Sequence, residues 1–245
     1  MFTKLQLQND LKRFNIPSTE TVLIHSSCKS VGEIEGGADT LLDLLSEYFE
    51  PGLLLFPTHT WDKVNKESTI YSVNDTVCCT GILPELFRKR ENVIRSAHPT
   101  HSVAGLGKSV KEFIKGDEEA TTPCPSFGSW GKLVDFDATI MLIGLTFTRN
   151  TFIHGIEEWK EIPNRISDDG YLATRILANG DKIEKIMHPH LGHPSENFDR
   201  ILPQAIEANI VKKQTLGNSE VLYFKAQALY EFVNKILEVN PLIFD

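Results

Sequence analysis

The chain has 245 residues, with 25 basic and 33 acidic side chains and a formal net charge of −8. Hydrophobic residues make up 41% and charged residues 24%, a globular composition that excludes a disordered or fibrous chain. The acidic balance argues against a nucleic-acid binder, and no apolar run reaches the ~18 residues of a membrane-spanning helix. Polar residues follow Met1-Phe2-Thr3-Lys4, so no signal peptide is expected and the predicted compartment is the cytoplasm. Cys28, Cys78, Cys79 and Cys124 lack the C-x-x-C spacing of zinc sites and are read as structural thiols.

Leu5, Leu7, Leu11 and Phe14 have the spacing of a short amphipathic helix, ended by Asn15-Ile16-Pro17. Thr21 to Ile24 is a β-prone apolar run. Gly36-Gly37 opens a second helix with Leu41, Leu42, Leu44, Leu45 and Phe49 inward, stopped at Pro51-Gly52. Leu53 to Phe56 is a second apolar run. Strand, helix and strand in this order predict a parallel βαβ unit. Thr58 to Thr80 is polar and irregular, the mark of a functional loop or lid. Helices are predicted over Gly81–Arg90 and Ser109–Lys115, with a turn-rich stretch at Pro123–Gly131. Thr139 to Leu145 is the clearest buried strand and runs into a helix start at Asn150–Trp159.

Tyr171–Leu177 and Lys182–Met187 flank Ala178-Asn179-Gly180-Asp181, a hairpin signal. Phe198–Ala208 reads as a helix. Lys213–Leu216 and Val221–Phe224 form a second hairpin around Gly217-Asn218, and Ala226–Val239 is the last helix. No linker or repeat divides the chain, so residues 1–245 are predicted to form a single domain. The expected fold is α/β: a layered α/β/α sandwich with a mixed central sheet and antiparallel hairpins in the C-terminal half.

Polar clusters follow the predicted strands, where open α/β sheets bind ligands. The first is His25-Ser26-Ser27-Cys28-Lys29-Ser30-Val31-Gly32, whose hydroxyls, lysine and turn suit an anion without the spacing of a Walker loop. The second, Arg95-Ser96-Ala97-His98-Pro99-Thr100-His101-Ser102, offers an arginine fork for phosphate or carboxylate. The third is Thr151–Glu158. On a helix, His154 faces Glu157 at i+3 and Glu158 at i+4, and a carboxylate beside an imidazole makes a general base. A fourth cluster, His188-Pro189-His190-Leu191-Gly192-His193, has imidazoles enough for zinc, but its prolines and glycine make it a loop that is structural or faces substrate.

His25-Ser26-Ser27, Gly36-Gly37 and Leu55-Phe56-Pro57-Thr58-His59-Thr60 resemble the first half of the aminoglycoside 3-N-acetyltransferases. Gly81–Arg88, Arg95–Ser102 and Thr151-Phe152-Ile153-His154-Gly155-Ile156-Glu157 are similar to that family's central and catalytic segments. The resemblance spans about residues 5 to 240. It implies an acetyl-coenzyme A dependent N-acetyltransferase with the antibiotic acetyltransferase fold, unrelated to the GNAT fold. It also implies His154 as catalytic base, Glu157 as its carboxylate partner and Thr151 in the same block. The coenzyme site it implies draws on Ser26, Ser27, Lys29, Ser30 and Val31, and on Arg95, Ser96, His98 and Ser102, with no metal. Lys29 and Arg95 are expected to supply the local positive charge. The stretch between Thr60 and Gly81 is shorter than the family's acceptor loop. The expected acceptor is therefore an amino sugar, either an aminoglycoside or one linked to a nucleotide.

In the mechanism so implied, His154 takes the proton of the acceptor ammonium, and Thr151, Ser102 or a backbone N–H stabilises the oxyanion. Two alternatives belong to other classes: a metal-dependent hydrolase built on His25, His59, His101 and the His188–His193 loop, and a coenzyme A-binding protein without catalysis. The protein is expected to be a monomer or homodimer.

Overall fold

The strands at the centre of the molecule carry near-continuous apolar runs because both of their faces are covered. A computed structural model describes residues 1–245. Thr3 starts helix α1 (Lys4–Lys12) with a capping box: its hydroxyl accepts from the Gln6 N–H while the Gln6 amide oxygen accepts from the Thr3 N–H. Strand β1 (Thr21–Ser26) is followed by helix α2 (Gly37–Tyr48) and strand β2 (Leu53–Pro57). Next come β3 (Ile70–Ser72), α3 (Ile82–Phe87), β4 (Ile94–Arg95), β5 (Val103–Gly107), α4 (Val110–Ile114) and α5 (Ser129–Asp135). Strand β6 (Thr139–Ile143) leads into α6 (Thr151–Trp159), then β7 (Tyr171–Ile176) and β8 (Lys182–Met187). The chain ends with α7 (Leu202–Glu207), β9 (Lys212–Leu216), β10 (Ser219–Lys225) and α8 (Ala226–Val239).

The central sheet has seven strands in the order β4-β5-β2-β1-β6-β10-β9. β1 pairs in parallel with β2 on one side and β6 on the other, and the outer pairings are antiparallel. Alternate residues of each parallel strand enter opposite cores, as the strand's period of two requires. Leu23, Leu53, Leu55, Ile140 and Leu142 pack with Trp130 of α5, Phe152 and Ile156 of α6 and Leu229 and Val233 of α8. Val22, Ile24, Leu54, Phe56, Met141 and Ile143 pack with Leu7 of α1, Leu41 and Leu45 of α2 and Phe87 of α3. The two cores hold 28 and 22 buried residues, so neither face is the solvent face and the fold is the expected three-layered α/β/α sandwich.

Four local expectations need correction. β5 was not legible because its sequence, Val103-Ala104-Gly105-Leu106-Gly107, carries two glycines. A Cβ on Gly105 would lie 2.7 Å from Val110 and 2.8 Å from Leu55, so that glycine is what lets β5 close on its neighbours. The turn-rich stretch ending at Gly131 runs into helix α5. The helix expected over Phe198–Ala208 divides into a 3-10 segment, Pro194–Ile201, and α7, which carries Pro203 in its first turn, where a missing N–H costs no helical bond. The β7–β8 hairpin forms as expected but does not join the central sheet. It builds a separate sheet with β3, which lies inside the stretch expected to be irregular and pairs in parallel with β7.

Gly107 closes β5 at φ +144°, and a Cβ there would sit 2.3 Å from the Gly52 carbonyl oxygen, a backbone atom with no room to retreat. Gly107→Ala is expected to lower the unfolding free energy by on the order of 1–3 kcal/mol, the scale of locally stored backbone strain, read as an earlier midpoint in urea.

Candidate active site

β1 lies where the chain turns to β2 on one side and receives β6 on the other, so the crevice outside the carboxyl ends of these strands is the topological site for a ligand. His25 and Ser26 end β1, His59 follows β2, and Asn150 and α6 follow β6. Most of the buried polar side-chain atoms that lack a partner in this protein belong to that region: His25 Nε2, Ser26 Oγ, His59 Nε2, both amide atoms of Asn150, Glu157 Oε2 and His190 Nε2. An unsatisfied buried polar atom costs about 1–3 kcal/mol. Such a concentration marks a surface prepared for a polar ligand.

Six of the histidines lie close together, two of them with their rings against Trp130. The His59 and His101 ring centres are 4.6 Å apart, those of His101 and His190 5.2 Å, and those of His190 and His154 4.5 Å. His98 lies 5.9 Å from His101, and His25 lies 6.2 Å from Trp130. The Trp130 indole N–H donates to the His101 carbonyl at 3.0 Å, which ties the cluster to α5. Burial pushes the pKa of His25, His98 and His190 down to about 3, and those of His59, His101 and His154 well below the ordinary value. All six imidazoles are therefore neutral at physiological pH.

His154 is set on the first turns of α6, one turn after Thr151. Its side chain is 16% exposed, so it sits at the rim of the cluster rather than inside it. His190 stacks on one face of its ring at an interplanar angle of 27°, and Phe198 packs edge-on at 4.8 Å. Nδ1 of His154 faces Glu157 Oε2 at 3.8 Å. Glu157 is fully buried, and its other oxygen accepts from Arg165 Nε at 2.5 Å. Burial pushes the Glu157 carboxyl up to about 7, against the pull of Arg165. Glu158 is turned elsewhere. It accepts from the Thr122 hydroxyl and from the Cys124 N–H at 2.9 Å. Of the two carboxylates within helical reach of His154, the structure pairs Glu157 with it.

Around the other expected residues the picture is divided. Ser26, Ser27 and Ser30 are half-buried and Lys29 is exposed at the end of β1. The Ser30 hydroxyl donates to the Ser27 carbonyl at 2.7 Å and lies 2.8 Å from the Ser219 hydroxyl. Val31 is buried and offers only its backbone, whose carbonyl accepts from the Asn218 N–H. In the second cluster, Ser96, His98 and Ser102, expected at the coenzyme, are buried at 1%, 0% and 0% exposure. Nε2–H of His98 donates to the Thr122 carbonyl, while Nδ1 accepts from the Thr100 and His101 N–H groups. Ser102 Oγ is engaged by Thr58 and by Arg95, which removes it as an oxyanion donor. The Arg95 guanidinium donates to the Thr58 and Ser102 hydroxyls and to the carbonyls of Thr58, Val73 and Thr76. Its work is to fasten the loops after β2 and β3, and Lys29 is left as the exposed cation of the expected pair.

The hydrolase alternative fails on geometry. His25, His59 and His101 do not bring three donor atoms together, His188 is held by the Ser167 carbonyl, and His193 points to solvent. The donors that do converge are Cys124, Glu158 and His190, of which the carboxylate is already hydrogen-bonded within the fold. Sequence reasoning missed Arg165 and the role of Trp130. Arg165 lies beyond the end of α6, so no helical spacing joins it to Glu157.

Comparison with known proteins agrees with this frame. Residues 23–238 match the family model described as aminoglycoside 3-N-acetyltransferase. The SPbeta prophage-derived aminoglycoside N(3')-acetyltransferase-like protein YokD of Bacillus subtilis is 26% identical, over 95% of this chain and 91% of its own. Its crystal structure superposes with a TM-score of 0.83 at 23% identity, covering 98% of this chain and 96% of that one. The structure of AAC-IIIb as a binary complex with CoASH has a TM-score of 0.83 at 18% identity and 97% coverage of both chains. That of a histidine-to-alanine mutant of AAC(3)-IVa in complex with a gentamicin has a TM-score of 0.84 at 22% identity, covering 99% and 91%. The fold is the one these enzymes share. The chain belongs to the aminoglycoside 3-N-acetyltransferase family and is an N-acetyltransferase.

Arg95→Met would orphan buried acceptors from two loops at once. It is expected to cost on the order of 2–4 kcal/mol of stability, summed from about 1–3 kcal/mol per stranded group, while affinity for coenzyme A in calorimetry of the folded variant stays within about twofold.

Proposed function

We propose that this protein transfers the acetyl group of acetyl-coenzyme A to an amine of an aminoglycoside-type amino sugar, with His154 as general base and Glu157 as the carboxylate that positions it. The observation that carries this reading is the rim position of a neutral His154 whose Nδ1 faces the one unpaired oxygen of a buried carboxylate. The coenzyme supplies the acetyl group as a thioester. Relatives of this chain are named for aminoglycoside acetylation, and one solved neighbour holds CoASH. The residues present suit the donor: the unpartnered Ser26 hydroxyl, Ser27, Ser30, the Val31 backbone and the exposed Lys29 follow β1 at the mouth of the crevice.

An ammonium acceptor has no lone pair with which to attack. His154, neutral at working pH, takes that proton on the nitrogen turned away from Glu157. The imidazolium so formed has Glu157 Oε2 as its nearest negative group. Stacking by His190 and edge-on packing by Phe198 hold the ring in place for the transfer. Thr151, one turn earlier on α6, is the hydroxyl we assign to support developing negative charge. The acidic surface suits a polycationic acceptor, which it draws in by long-range attraction.

Free-thiol release from acetyl-coenzyme A, run against a panel of aminoglycosides and nucleotide-linked amino sugars, tests both donor and acceptor. His154→Ala is expected to lower kcat by about 10²–10⁴-fold and to leave coenzyme binding within about twofold; a variant of unimpaired turnover overturns the base assignment. Below about pH 7 Glu157 is protonated and no longer stabilises the imidazolium, so the rate should rise with pH through that region. Glu157→Gln should abolish that inflection and reduce kcat, measured as the pH profile of kcat with one acceptor.

A further inference from the structure

We infer that Arg165 is a positioning residue for the transfer: it acts through Glu157, clamping one carboxylate oxygen so that the other faces His154, and its charge draws the carboxyl towards its ionised form. The inference rests on the reading of His154 as general base. Arg165 lies in the loop after α6, and its side chain is 7% exposed against 0% for Glu157. Its guanidinium spans two carboxylates. Nε donates to Glu157 Oε1 at 2.5 Å, and Nη2 donates to Asp245 Oδ1 at 2.6 Å.

The division of labour within Glu157 follows. Oε1 is taken by Arg165, and Oε2 has no partner other than the imidazole it faces at 3.8 Å. A carboxyl group turns easily about its terminal bond. Clamping one oxygen therefore aims the other. The clamp is also electrostatic. A buried carboxyl with no cation beside it takes up a proton, and a neutral carboxylic acid does not stabilise an imidazolium. The charged or titratable groups that face Glu157 are His154 on its own helix, Arg165 from the loop and Asp245 from the C-terminal residues. Asp245 and burial both favour the protonated form, so Arg165 is the one group that opposes them.

The far anchor of the clamp is itself held. Arg200 donates to the carbonyls of Ile243 at 2.6 Å and Asp245 at 2.7 Å, and the Asn197 amide donates to the Phe244 carbonyl at 3.1 Å. Phe244 packs on Phe198 at 4.8 Å, and Phe198 packs on His154. The last residues thus support both halves of the pair, the carboxylate through Asp245 and Arg165 and the imidazole through Phe244 and Phe198.

Arg165→Met and Arg165→Lys in the full chain test this, with kcat and KM followed against pH by thiol release and the His154 ring nitrogens followed against pH by NMR. Arg165→Met should lower kcat at pH 7 by about tenfold or more, the factor for each pH unit by which the Glu157 midpoint rises above the assay pH. KM for acetyl-coenzyme A should hold, and the acid limb of the profile should move to higher pH. Arg165→Lys restores a cation without the fork, and should return the limb towards its wild-type position with part of the rate. The NMR signal of His154 should show the same movement with no acceptor present. A wild-type profile and a wild-type NMR titration in Arg165→Met, or in Arg165→Lys should the methionine variant not fold, overturn the inference. A shifted NMR titration beside a fully active His154→Ala would instead retain the control of Glu157 by Arg165 and remove its role in the transfer.

Discussion

The parallel strands β2, β1 and β6 are covered on both faces, and the rest of the molecule follows from that constraint. Between two apolar cores there is no place for a working polar side chain along the strand. Chemistry is displaced to the strand ends, where β1 yields to the Ser26–Val31 turn, β2 to Thr58-His59-Thr60 and β6 to the segment that starts α6. Helices α5, α6 and α8 cover one face, with Trp130 of α5 in the core and His154 of α6 partly exposed.

The covering also sets the electrostatics. Burial and mutual repulsion push the pKa values of the gathered imidazoles well below the ordinary value, which favours their neutral form. A neutral imidazole is the form able to accept a proton. The same environment works against the carboxylate that must assist it. Glu157 lies within that apolar shell, where burial pushes its carboxyl up to about 7 and Arg165 pulls the other way. A single ion pair thus offsets part of the cost of placing a carboxylate in a dry site. It is a functional use of a buried pair, for which stability alone gives little reason.

The family relationship and the local geometry carry different parts of the conclusion. Family membership rests on a match over residues 23–238 and on a shared fold. The roles within the site rest on distances in this chain. Arg95 shows why both are needed. Its place in a motif of serines and histidines invites a coenzyme-binding role, yet its guanidinium is spent on five acceptors that fasten two loops. His98 and Ser102 in the same motif are likewise consumed by the fold. Lys29, by contrast, keeps its exposed position after β1.

What the sequence determined by itself was local and periodic. Val22 to Ile24, Leu53 to Phe56 and Ile140 to Ile143 are readable as buried strands because a strand covered on two faces needs an unbroken apolar run. The α6 pairing of His154 with Glu157 is readable because helical spacing places i and i+3 on one face. Tertiary structure alone decided what no spacing encodes. It made β5 a strand despite two glycines, because close approach to β2 and α4 outweighs weak propensity. It sent the β7–β8 hairpin to a separate sheet with β3, since turn chemistry specifies a hairpin but not its partner. It gave Glu157 rather than Glu158 to His154, because Thr122 and Cys124 claim the second carboxylate. And it brought Arg165 back from the loop after α6, and Asp245 and His190 from distant segments, where contact is a product of packing rather than of order along the chain.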